Sequence, residues 1–127
     1  MPSPDTSSAR ALAALDRLVA AFASNDEAAY FGCCAPAARF VLPDTQGVAL
    51  TVDEYRELWR GWRAEGWGVE KCVSSERGVL TVGEVAVVTH RVATTLRDGT
   101  ELVERETVVF DLGAVGGPLV IHEHLSS

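Results

Sequence analysis

The chain has 127 residues, 47% of them hydrophobic, and a formal net charge of −7. That is enough for one compact domain with a core and too little for two of ordinary size. Its acidic residues are scattered, it has no Lys/Arg cluster to neutralise phosphates, and no uninterrupted apolar run reaches transmembrane length, so neither nucleic acid nor a membrane is expected as a partner.

The opening MPSPDTSS is polar and proline-bearing and lacks a basic leader, so residues 1–8 are expected to form a flexible tail ahead of a single domain over 9–127, in the cytoplasm. From Ser8 to Ala23, Leu12, Leu15, Val19 and Phe22 recur on one helical face with alanines beside them, which predicts an amphipathic helix. Ser24-Asn25 offers a cap, Asp26 and Glu27 suit a helix N-terminus, and NDEAAYFGCCA reads as a short second helix ending before Pro36. Cys33, Cys34 and Cys72 are odd in number with no C-x-x-C spacing; they read as small core residues of a protein in a reducing compartment.

ARFVLP then predicts a short strand and PDTQG a turn that holds Asp44. In TVDEYRELWRGWRAEG, Thr51 and Glu54 have capping-box spacing, Gly66 is a terminator, and Val52, Tyr55, Leu58, Trp59 and Trp62 form the inward stripe. After Gly66 the texture is β-rich, punctuated by ERG, VGE, RDGT and GAVGGP, a meander of strands. Helices first and an antiparallel sheet after them define an α+β class, in which one face of a curved sheet is buried against the helices.

Asp98-Gly99 is a two-residue hairpin signal. With Arg97 opposite Thr100, the register predicts Arg91 opposite Glu106, His90 opposite Thr107 and Val92 opposite Arg105. Arg91, Glu104, Glu106, Val108 and Phe110 then share one face, and His90, Val92, Arg105, Thr107 and Val109 the other. Neither face is cleanly apolar: on the outer face Arg91 and Glu106 make an ordinary exposed pair, and on the inner face a charged pair in a cavity.

The order of a long helix, a short helix, a small strand, a Trp/Tyr-bearing helix and strands through VGEVAVVTHRV, RETVVF and VIHEHLS resembles the nuclear transport factor 2-like superfamily, and most of all its SnoaL-like branch, whose closing strand has the form I-x-H-x-H-x-S. The resemblance spans roughly Ala9 to Ser126. It implies a cone-shaped, strongly curved antiparallel sheet wrapped over three helices of the N-terminal half, a pocket at the wide end, and a homodimer through the outer sheet face. Members include steroid isomerases, polyketide cyclases and dehydratases, and also non-catalytic assemblies such as the calcium/calmodulin-dependent kinase association domain. By analogy with the isomerases, the proton-shuttling aspartate falls at Leu42, the oxyanion-binding tyrosine at Leu18, and its assisting acid near Glu106. The association domain's pocket arginine falls at Val108.

Several candidate sites follow. His122-Glu123-His124 puts both histidines on one strand face and Glu123 on the other; with His90 as the only further imidazole, a metal is not expected, and the histidines are placed on the outer side. With Ile121, Glu123 and Leu125 inward, Glu123 and Glu106 become cavity carboxyls that can share a proton and act as general acid or base, with Arg91 or His90 assisting. Tyr30, Tyr55, Trp59, Trp62, Val108, Phe110 and Leu42 are candidates to line a pocket for a small apolar or aromatic ligand. No cofactor is expected. The competing reading is a non-catalytic binding or assembly module.

Overall fold

The computed structural model describes residues 4–127, with side chains from Thr6 onward. Helix α1 runs Pro4–Ala23 and so begins four residues ahead of the expected Ser8; residues 1–3 lie outside the described residues. Proline suits a first helical position, because the N–H it lacks would have no intrahelical partner there. The buried face of α1 is built from Ala11, Ala14, Leu15, Leu18 and Ala21, with Val19 and Phe22 half-buried beside it. Small alanines let the helix axis approach the sheet closely.

Asn25 stands at φ 60 between the first two helices. Its side chain bonds both ways with Val69, Nδ2 donating to the carbonyl at 2.9 Å and Oδ1 accepting from the N–H at 2.7 Å. Helix α2 (Glu27–Gly32) is therefore capped by Asp26, one residue later than expected, through a bond from the Ala29 N–H. Strand β1 (Cys34–Val41) and a 3-10 turn (Pro43–Thr45) lead to α3 (Val52–Ala64). The Thr51/Glu54 capping box forms in both directions at 3.2 and 2.9 Å. Of its expected stripe Tyr55 and Trp59 are buried, but Leu58 is exposed.

Strands β2 (Val69–Val82), β3 (Val85–Leu96), β4 (Glu101–Asp111) and β5 (Leu119–Ser126) complete a five-stranded sheet in the order β1-β5-β4-β3-β2. It is antiparallel except between β1 and β5, which run parallel; the fold is α+β, a curved sheet over three helices. The aromatic core lies between them. Trp59 meets Tyr30 at 4.8 Å between ring centroids and Phe22 edge-on at 5.8 Å, and Phe40 meets Tyr55 at 4.9 Å. Burying each such ring stabilises the fold by about 1.5–3 kcal/mol.

The hairpin between β3 and β4 departs from the expected register by one residue. The backbone N–H of Arg97 donates to the Gly68 carbonyl at 2.8 Å, so it cannot pair with Thr100. Leu96 takes that place, its N–H donating to the Thr100 carbonyl at 2.8 Å, and the loop becomes three residues with Gly99 at φ 89. This is the three-residue hairpin whose last loop position needs a left-handed conformation. A one-residue slip moves every side chain of one strand to the other face relative to its partner. His90 thus stands opposite Glu106, and Arg91 opposite Arg105.

Candidate active site

The slip decides the chemistry of the inner face. Ala86, Val88, His90, Val92 and Thr94 of β3 are buried on that face, as are Glu106, Val108 and Phe110 of β4. His90 Nε2 lies 2.6 Å from Glu106 Oε1, with His90 at 0% exposure. Arg91 is removed from this site: it faces outward, half-exposed, where Glu76 stands 3.7 Å from both Arg91 and Arg105. That carboxylate between two facing arginines explains how like charges are tolerated across the strands.

Alternation in β5 is interrupted by a register shift, so Val120 rather than Ile121 takes the inner position opposite Phe110. Beyond the shift Glu123 points inward at 0% exposure, while His122 and His124 pair with the outward-facing Val109 and Thr107. The Tyr30 hydroxyl donates to both oxygens of Glu123, at 2.6 and 2.9 Å. Among the described residues no three His, Cys, Asp or Glu side chains converge as metal ligands.

Between α1 and the sheet lies a cavity of about 40 Å³. Its polar lining comes from Tyr30, Tyr55, His90, Thr94, Glu104 and Glu106, and its apolar wall includes Leu18, Val19, Phe22, Val92 and Leu125. Of the residues expected to line a pocket, Tyr30 and Tyr55 reach it. Trp59 packs behind Tyr30, Trp62 packs against Tyr55 and Trp67, and Val108, Phe110 and Leu42 are core. Glu123 is sealed beneath Tyr30 and does not line the cavity. Glu104 joins the expected residues in the lining, and its alternation with Glu106 along β4 is a signal for it. Cys72, which lines the cavity, and Ser74, which meets His90, had no such signal, because their facing depends on a bulge in β2.

Burial sets the protonation of these groups. The Glu106 carboxyl is pushed up to about 8, first by desolvation and then by the charge of Glu104. Glu123 is pushed well above the carboxylate range by burial and by Glu106, against which the Tyr30 hydrogen bond acts. His90 is driven down to about 4 by burial, then by Arg77 and Arg105. At neutral pH the dyad is therefore a carboxylic acid beside a neutral imidazole. Glu104, half-buried, is raised by burial and by Asp44 in the 3-10 turn.

The helix-over-curved-sheet arrangement is shared with solved structures of the nuclear transport factor 2-like class. A candidate dehydratase of that family from Streptomyces avermitilis superposes with a TM-score of 0.81 at 18% identity, covering 98% of this chain and 97% of its own. The association domain of the C. elegans calcium/calmodulin-dependent kinase II does so at 0.79 and 17% identity, covering 97% of each chain. An NTF2-like protein from Rhodospirillum rubrum, of unknown function in nutrient uptake, reaches 0.75 and 23% identity over 91% of this chain and 95% of its own. Within that class, the SnoaL-like domain family matches residues 11–126. The chain belongs to the SnoaL-like family. A search of the curated proteins finds no match.

Proposed function

We propose that this protein takes a small, uncharged, largely apolar molecule into the cone cavity and acts on it by general acid–base catalysis, in an isomerisation, cyclisation or dehydration. The observation that carries this reading is the buried His90–Glu106 pair, 2.6 Å apart on the cavity wall. A carboxyl held near pH 8 is a proton donor at neutral pH and is converted to a base at little cost, the condition that favours general acid–base catalysis. Tyr30 and Tyr55 line the same wall.

The lining has carboxyls but neither Lys nor Arg, so an anionic ligand would lack a counter-charge there. The 40 Å³ of free space holds about three waters, well below the several hundred Å³ of a typical ligand pocket. Entry of a ring-sized molecule therefore requires the half-buried Val19, Phe22 and Leu125 to move apart. The same tightness favours a second reading, a binding or assembly module without turnover, as does the presence of Leu42 and Leu18 where the isomerases carry their base and tyrosine.

The outer sheet face presents Val73, Leu80, Val82 and Val103 in exposed positions, and it is the face proposed to form a homodimer. Light scattering should give a dimer mass for the native chain and a monomer for Leu80→Glu/Val82→Glu; a monomeric native chain sinks the dimer. The catalytic reading is tested by a thermal-shift screen of cyclic enones and hydroxyketones, followed by turnover of the hits. Glu106→Gln should lower turnover by about 10²-fold or more. Turnover unchanged in that variant removes Glu106 as the acid–base group.

A further inference from the structure

His90 has a second polar contact. Its Nδ1 lies 2.7 Å from Ser74 Oγ, the Arg77 Nε–H donates to the same oxygen at 2.9 Å, and Arg77 bonds on to Asp16 of α1 at 2.6 Å. Strand β2 makes this chain possible by a bulge: its register jumps between Ser75 and Gly78, with Glu76 at φ 51. The bulge brings Arg77 round to the side of Ser74 and α1.

We propose that Ser74 and Arg77 are positioning residues for Glu106: they favour the tautomer of His90 whose Nε2–H donates to the Glu106 carboxylate, and so make its ionised form available as a base. This rests on the role given to Glu106 above. The argument is one of donors and acceptors. Arginine only donates, so its N–H occupies a lone pair of Ser74 Oγ and favours the use of the serine hydroxyl as a donor. The partner the structure gives that hydroxyl is Nδ1. An accepting Nδ1 in a neutral ring means a protonated Nε2, which faces Glu106.

In this arrangement every proton of the chain has an acceptor, and the carboxylate is the last of them. When Glu106 is protonated, its O–H donates to Nε2, and Nδ1–H turns on Ser74 Oγ, which then receives two donors while its own proton has no acceptor within the chain. Passing from acid to base form, the Glu106 proton moves to Nε2 and the Nδ1 proton to Ser74 Oγ. The former serine proton leaves to water at the half-buried edge of β2, so that one proton is released in all. A polar tie that merely pins α1 to the sheet would require no tautomer.

The charged and titratable groups around this chain are Asp16 on α1, Tyr30 on α2, Cys34 on β1, Tyr55 on α3, Cys72 and Arg77 on β2, Glu104, Arg105 and Glu106 on β4, and Glu123 on β5. The test is nitrogen-15 NMR of the His90 ring together with carbon-13 NMR of the Glu106 carboxyl, from pH 6 to 10, on the intact chain. The ring should stay neutral throughout and carry its proton on Nε2 above the Glu106 midpoint. Ser74→Ala should raise that midpoint by about 0.5–1 pH unit, Ser74→Thr should restore it, and Arg77→Gln should raise it by less.

A ring protonated on Nδ1 above the midpoint overturns the proposal, as does a midpoint unmoved by Ser74→Ala. If that variant does not fold, the wild-type tautomer and Arg77→Gln decide. Unchanged turnover in Glu106→Gln would remove the catalytic reading and leave the tautomer measurement standing, so the two failures are distinct.

Discussion

Two buried glutamates sit on neighbouring strands of one sheet and have opposite surroundings. Glu106 lines a cavity, faces a neutral imidazole, and connects through His90 and Ser74 to the protein's edge. Glu123 is closed off under the Tyr30 hydroxyl with no exposed surface and no cavity beside it. Burial raises both carboxyls, yet only Glu106 borders a cavity. A perturbed pKa by itself does not mark a site; access does.

Truncation separates the two glutamates most clearly. Glu123→Ala takes from the Tyr30 hydroxyl its carboxyl partner and opens a void in the core, and should cost about 3 kcal/mol or more in urea unfolding. Glu106→Ala, beside an existing cavity that water can enter, should cost about half as much. Equal losses would mean that the two sites are alike in packing.

A pH series reads both glutamates at once. Each carboxyl keeps in the folded state a proton that the unfolded chain loses above its ordinary 4.5, so each makes stability fall as pH rises, Glu106 until about 8. His90 acts oppositely: its folded value of about 4 lies below the ordinary 6.5, so it makes stability rise across that interval. Between 4.5 and 6.5 it cancels one carboxyl, and above 6.5 both carboxyls act unopposed. Stability should therefore fall with rising pH, most steeply from 6.5 to about 8, at about 1.4 kcal/mol per pH unit for each proton. Denaturant midpoints measured along this range check it, and Glu106→Gln should remove roughly half of the steep part.

The smallest effect is reserved for the outer face. Arg91→Ala loses only an exposed pair at 3.7 Å and should change stability by less than about 0.5 kcal/mol. A larger loss would show that Arg91 reaches the interior.

Much of this architecture was legible from local signals. The capping box at Thr51, the alanine-rich first helix and the β-rich second half each arise from interactions within a few residues, and the inward turn of Glu123 follows from alternation near the end of β5. The face shared by Glu104, Glu106, Val108 and Phe110 is local to β4 in the same way.

The tertiary structure alone decided which β3 side chain meets that face. The Arg97 N–H is claimed by the Gly68 carbonyl, at the start of β2, and this distant bond shifts the hairpin by one residue. It exchanges an Arg91–Glu106 pair for a His90–Glu106 pair, and a permanent charge for a group that can pass a proton. The bulge that places Ser74 and Arg77 behind His90 is likewise a matter of strand pairing. Residue type and alternation determined the elements and the inward carboxyls of β4 and β5. Register determined the dyad, because hydrogen bonds between residues far apart in the chain set it and no local pattern encodes them.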